Sequence, residues 1–234
     1  EWMGIYLNPG SAMFQKSLKS KIYVDKSGLL AILNELVDTE QRYVCVSRPR
    51  RFGKSMAANM LAAYYGSSED TSALFASLEI SQCAGYRDHL NQYDVLKINM
   101  QDFLSESQSI EDMLAHLTAC LIRDLKNGFP QIDFSYAKSL VSVMREVFAQ
   151  TGRSFVILID EWDCLFREYE SNKEAQKQYL DFLRVWLKDK EYVGLAYMTG
   201  ILPIKKYGSH SALNMFTEYS MTNPREMAGY FGFT

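Results

Sequence analysis

The chain has 234 residues, 47% of them hydrophobic, with 25 Lys and Arg against 28 Asp and Glu for a net charge of −3. That is enough apolar chain for one sizeable α/β core, and the charge excludes a bulk basic footprint for non-specific nucleic-acid binding. No apolar run reaches membrane-spanning length and no signal peptide is legible, so a cytoplasmic location is expected. Cys45, Cys83, Cys120 and Cys164 are scattered without a Cys-x-x-Cys pair, and reduced core thiols are expected of them. His89, His116 and His210 stand isolated, and no metal cluster can be assembled from them.

In chain order, Ile22-Tyr23-Val24 reads as a short strand, and Asp25 or Ser27 caps a helix running to about Val37. Tyr43-Val44-Cys45-Val46 is a buried strand, and Met56 to Tyr65 a helix. Gly66 to Asp70 is a turn-rich connection, and Thr71 to Ser77 a short helix. Asp94 to Asn99 is a further strand. Ile110, Met113, Leu114, Leu117, Leu121 and Leu125 hold helical spacing, as do Leu140, Val143, Val147 and Phe148; both stripes read as core faces. Phe155 to Ile159 is apolar on both faces, the mark of a central strand in a covered parallel sheet. Ala175 to Lys188 is a helix with Tyr179, Phe182, Leu183 and Trp186 inward, and Val193 to Met198 a last buried strand ending in Thr199-Gly200.

Between the first buried strand and its helix lies Ser47-Arg48-Pro49-Arg50-Arg51-Phe52-Gly53-Lys54-Ser55. Gly-Lys-Ser at a helix N-terminus combines unpaired backbone N–H groups with a positive dipole end, a setting for triphosphate. Arg48, Pro49, Arg50, Arg51, Phe52, Gly53, Lys54, Ser55 and Met56 are therefore the expected nucleotide-binding stretch. Lys54 reaches the β- and γ-phosphates, and the Ser55 hydroxyl ligates Mg²⁺. Arg48 stands where the general pattern has glycine, so this loop leaves its strand without glycine's positive-φ freedom. A solvated basic turn is the plain alternative.

Asp160 and Glu161 close the run Phe155 to Ile159. Ligand chemistry in such sheets gathers at the carboxyl ends of strands. Asp160 is expected on the Mg²⁺ side, with Glu161 polarising the water that attacks the γ-phosphate. One such pair is equally at home in a solvated turn; two motifs in this order favour nucleotide binding. A complete strand lies between the two motifs in the chain and another follows, an order that marks the additional-strand, catalytic-glutamate branch of P-loop ATPases. Thr199 then falls where that branch places a γ-phosphate sensor, although a strand-end loop explains it equally well. The GTP determinant Asn-Lys-x-Asp is missing, since Asn172-Lys173-Glu174-Ala175 has no Asp, and ATP is favoured.

With these residues assembled, the chain resembles the bacterial AAA-ATPase-like family, in which a P-loop domain usually precedes a PD-(D/E)XK nuclease-like region. The stretches that carry the likeness are Ile22 to Ser27, Ser47 to Ser55, Ile159-Asp160-Glu161-Trp162-Asp163, Tyr197 to Lys206, Ser220 to Pro224 and Gly232-Phe233-Thr234. The family's own loop reads Arg-Pro-Arg-Arg-Phe-Gly-Lys-Ser, so Arg48 is its version of the cradle. The resemblance implies a three-layer P-loop sandwich with a mainly parallel sheet, of the AAA+/STAND-like branch. It also implies a C-terminal effector, nuclease-like, beyond these residues, and the chain reads as a fragment.

The expected organisation is an N-terminal strand-helix segment, residues 1–40, packed on a P-loop core of residues 41–234. The expected function is ATP binding with Mg²⁺-dependent hydrolysis, acting as a conformational switch for an attached or partner effector. Glu161, Lys54 and Thr199 are its catalytic residues, and Ser55 and Asp160 its metal ligands. A regulatory module with little turnover, and less well supported a small-molecule phosphotransferase, are the alternatives. A homo-oligomer is left open, and neither nucleic acid nor membrane is an expected partner. Asp163 either supports Lys54 or the metal, or caps the following helix. Arg50, Arg51, Lys205, Lys206 and Arg225 have either phosphate-facing or solvated roles.

Overall fold

The computed structural model describes residues 3–21, 23–47, 54–207 and 212–220. Ile22, the loop residues Arg48 to Gly53, Arg225 and the helical stretch expected over 224–230 lie outside the described residues. For Lys54, Ser55 and Lys206 it is the helical backbone that is described.

Five strands form one sheet: β1 (Tyr43–Ser47), β2 (Asp94–Asn99), β3 (Phe155–Asp160), β4 (Val193–Gly200) and β5 (Thr217–Ser220). Every pairing is parallel and the spatial order is β2-β3-β4-β1-β5. Among the described residues the helices are α1 (Ala12–Leu18), α2 (Gly28–Leu36), α3 (Lys54–Tyr65), α4 (Ser72–Phe75), α5 (Tyr86–His89), α6 (Met100–Ser105), α7 (Ile110–Gly128), α8 (Leu140–Thr151), α9 (Cys164–Glu168), α10 (Lys173–Leu187) and α11 (Ile204–Tyr207).

Strand side chains alternate between two faces, and each face is covered. Ile157, Ile159, Ala196 and Met198 join one core with Leu117 and Leu121 of α7, Val143 of α8, and Leu183 and Trp186 of α10. Val156, Leu158, Leu195 and Tyr197 join a second core with Leu30 and Leu33 of α2 and Leu61, Tyr64 and Tyr65 of α3. Both faces of β3 are thus dry, as its unbroken apolar run requires. The architecture is a sheet between two helical layers.

The strand order differs from the chain order in an informative way. β2, which separates the two motifs in sequence, sits at a sheet edge. It is β4 that inserts between β1 and β3. The open edge of β2 is covered by the N-terminal chain. Leu7 bridges Leu96 antiparallel, and the Asp124 carboxylate of α7 accepts the N–H groups of Tyr6 (2.7 Å) and Leu7 (3.1 Å).

Several expectations need correction. Tyr23 and Val24 form no strand; β2 and β5 hold the sheet edges, and Val24 is exposed. Asp25 does not cap α2. Its Oδ1 accepts the Ser27 N–H at 2.8 Å and its Oδ2 reaches across to the Glu79 N–H at 2.8 Å. Ser27 occupies the cap position, but its hydroxyl accepts from Ile80 N–H instead. β4 runs on through Thr199 and Gly200, so Thr199 is a strand residue and not the start of a loop. Cys45 and Cys164 are core thiols, whereas Cys83 and Cys120 are only half-buried; all four are free.

Candidate functional site

Parallel register brings the strand exits into one row. Asn99 lies opposite Asp160, Met198 opposite Ile159, and Gly200 opposite Ser47. Asp160, Thr199 and Ser47, the last residue of β1, therefore lie at the same carboxyl edge, on three adjacent strands. α3 begins at Lys54, directly after the loop of residues 48–53. The loop's own geometry falls outside the described residues.

The Asp160–Glu161 corner is built by strain and by polar ties. Glu161 has φ +52°, while the other described non-glycine residues with positive φ are Asn8, Asp38, Asn91 and Asp189. Asn and Asp tolerate this region; a glutamate there costs about 1 kcal/mol or more. What holds it is Asp160 Oδ1, which accepts the Glu161 N–H at 3.0 Å and the Thr199 hydroxyl at 2.5 Å. The Trp162 N–H then donates to the Thr199 carbonyl at 3.0 Å. Below the corner, the buried Tyr179 hydroxyl of α10 donates to the Trp162 carbonyl at 2.5 Å. The corner is over-determined, as a backbone outlier must be.

A small cleft at this edge is lined by Asp160, Glu161, Asp163, Arg167, Thr199 and Gly200. Asp163 is fully buried. It occupies the N-cap position of α9 without making a capping bond, so the helix-cap alternative fails. Its Oδ2 accepts the N–H groups of Ile201 (2.9 Å) and Leu202 (2.7 Å), just past the β4 exit, and lies 3.5 Å from Arg167 Nε. On β2, burial lowers the Lys97 pKa below that of an ordinary lysine, against the opposing pull of Asp160 and Asp102. Burial pushes the Cys164 thiol up to about 12 and the Cys45 thiol higher still, so neither is a nucleophile.

Of the expected site residues, Asp160, Glu161 and Thr199 come together. Lys54, Ser55 and Met56 stand in the first turn of α3, behind the strand next to β4. Lys205 is exposed in α11. Arg167 and Lys97 escaped the sequence reading. Arg167 could have been found as the residue one helical turn after Asp163; Lys97 carries no signal beyond a cation in a buried strand.

Mg²⁺ is the metal the motifs imply. Among the described residues no group of three or more His, Cys, Asp or Glu could hold a metal ion. That does not disqualify Mg²⁺, which is commonly held by one or two protein oxygens, phosphate and water. Asp160 supplies a hard oxygen donor at the right edge. Among the described residues no helix is long and apolar enough to cross a membrane.

The chain can now be set against known proteins. A relative from Azotobacter chroococcum mcd 1, described as "Uncharacterized protein in vnfD 5'region", is 26% identical over 204 residues. The match covers 85% of this chain but 37% of that protein, so the chain spans little more than a third of the relative's length. A family model described as "Predicted AAA-ATPase" matches residues 11–209, from just before α1 to beyond the β4 exit. With that match laid over a five-stranded parallel sheet, the chain belongs to the AAA-ATPase-like family.

Proposed function

We propose that this chain binds ATP across the carboxyl ends of β1, β4 and β3 and hydrolyses it with Mg²⁺. The observation that carries the reading is the convergence at one sheet edge. Asp160 is bonded to Thr199, Glu161 is held in a strained turn beside them, and β1, the neighbour of β4, leads in the chain to α3, which starts at Lys54. The insertion of β4 between β1 and β3 supports the additional-strand, catalytic-glutamate branch.

In this reading the loop amides, Arg48 to Ser55, cradle the phosphates and the Lys54 ammonium offsets charge on the β- and γ-oxygens. Ser55 and Asp160 would hold the Mg²⁺, which neutralises phosphate charge when bound. Glu161 accepts a proton from water as that water's oxygen bonds to the γ-phosphorus. The bond from phosphorus to the β,γ-bridging oxygen breaks, leaving ADP and phosphate. Thr199 links this chemistry to β4 through its bond to Asp160. Hydrolysis acts as a conformational switch on an attached or partner effector.

The test is steady-state ATP hydrolysis with Mg²⁺, wild type beside Glu161→Gln. Loss of turnover by about a hundredfold or more, with binding retained, is expected of a general base. Binding without wild-type turnover would favour the regulatory module instead. Equal turnover in both proteins would remove Glu161 from the mechanism.

A further inference from the structure

Asp163 is a costly residue for a helix start. It is fully buried, its Oδ1 has no hydrogen-bond partner among the described residues, and the same is true of Nε and Nη2 of Arg167 and of Trp162 Nε1. A buried oxygen without a partner loses its water hydrogen bonds and gains nothing in return. The carboxylate does not cap α9, and its other oxygen spans 38 and 39 residues of sequence to reach Ile201 and Leu202. Those amides directly follow Thr199-Gly200. Gly200 has no room for a side chain: an added Cβ would lie 2.7 Å from Asp163 Oδ1 and 2.8 Å from Trp162 Cδ1. The exit of β4 is therefore pressed against residues 162 and 163 and held there from one side by Oδ2.

We propose that Asp163, backed by Arg167, is a positioning residue that clamps the β4 exit so that Thr199 stays bonded to Asp160 beside Glu161. The inference rests on the proposed hydrolysis and deepens it. The carboxylate acts through the backbone that follows Thr199, by its bonds to Ile201 N–H and Leu202 N–H. A displacement of about 1 Å at a reacting centre can cost on the order of a hundredfold in rate. The clamp therefore acts on turnover and leaves the phosphate cradle, two strands from Asp160, untouched.

The test compares wild type, Asp163→Ala and Arg167→Gln for MgATP affinity by calorimetry and for kcat and KM. Asp163→Ala removes the acceptor of the Ile201 and Leu202 N–H groups and should lower kcat roughly ten- to a hundredfold, with affinity and KM within about threefold of wild type; Arg167→Gln should show the same split, more weakly. Unchanged kcat in Asp163→Ala, or affinity falling in step with kcat, overturns the proposal. Should Asp163→Ala not fold, Arg167→Gln decides on the same criteria. A wild type that turns over ATP while both variants match it sinks only the clamp. A wild type with no turnover sinks the proposed hydrolysis and the clamp with it.

Discussion

Two aspartates, Asp94 and Asp163, are both fully buried, at opposite ends of the same sheet. Asp94 opens β2 on the amino edge, and both its oxygens are partnered. Oδ1 accepts from Asn8 Nδ2 at 3.2 Å and Ser67 Oγ at 3.0 Å, and Oδ2 accepts from Arg153 Nε at 3.3 Å. Asp163, just past β3 on the carboxyl edge, has one crowded oxygen and one without a partner. The strained Glu161 and the Arg167 Nε and Nη2 groups, ion-paired with Asp163 but making no hydrogen bond among the described residues, lie on that same edge. One end of the sheet is satisfied and holds the fold together. The other retains strain and unmet polar atoms, the pattern expected where geometry serves chemistry.

The comparison breaks first at Asp94. Asp94→Ala leaves the Arg153, Asn8 and Ser67 partners unpaired and should cost about 3 kcal/mol, read from denaturant midpoints. A loss below 1 kcal/mol would mean that the amino edge is no staple. Next is Gly200→Ala, whose Cβ must displace Asp163 or Trp162. It should cost about 1–3 kcal/mol and slow turnover, whereas an alanine tolerated without loss would mean the β4 exit is not tightly seated.

The smallest effect concerns pH. His89 Nδ1 lies 2.6 Å from the Tyr93 hydroxyl, and burial lowers its pKa below the ordinary 6.5, against the opposing charges of Asp88 and Asp38. The folded state resists a proton that the unfolded chain accepts. Its contribution is therefore full above about pH 6.5 and is lost as pH falls through the lower folded value. Unfolding midpoints at pH 7.5 and 5 should show wild type losing more than His89→Gln on acidification. An equal loss would contradict this.

What could be read in the sequence was whatever rests on local pattern. The run Phe155 to Ile159 announced a central strand because both its faces are apolar, and Asp160-Glu161 stood out because carboxylates abruptly end it. Sheet order was not legible: the β4 insertion depends on which edges compete for pairing, and no residue of β4 encodes that. β5 was missed because Thr217-Glu218-Tyr219-Ser220 is short and carries a central glutamate, whose Oε1 accepts the Ile204 N–H at 3.0 Å. Tyr23-Val24 erred the other way: strand propensity is present, yet neither residue joins the five described strands. Asp163 was singled out, but its role hangs on amides 38 and 39 residues away.

The most direct measurement is calorimetric titration of the chain with ATP and Mg²⁺, wild type beside Lys54→Ala. Saturable binding with one site per chain, lost in Lys54→Ala, is the predicted result. Equal affinity in both proteins, or none in the wild type, would contradict the claim that ATP sits at the carboxyl edge of this sheet.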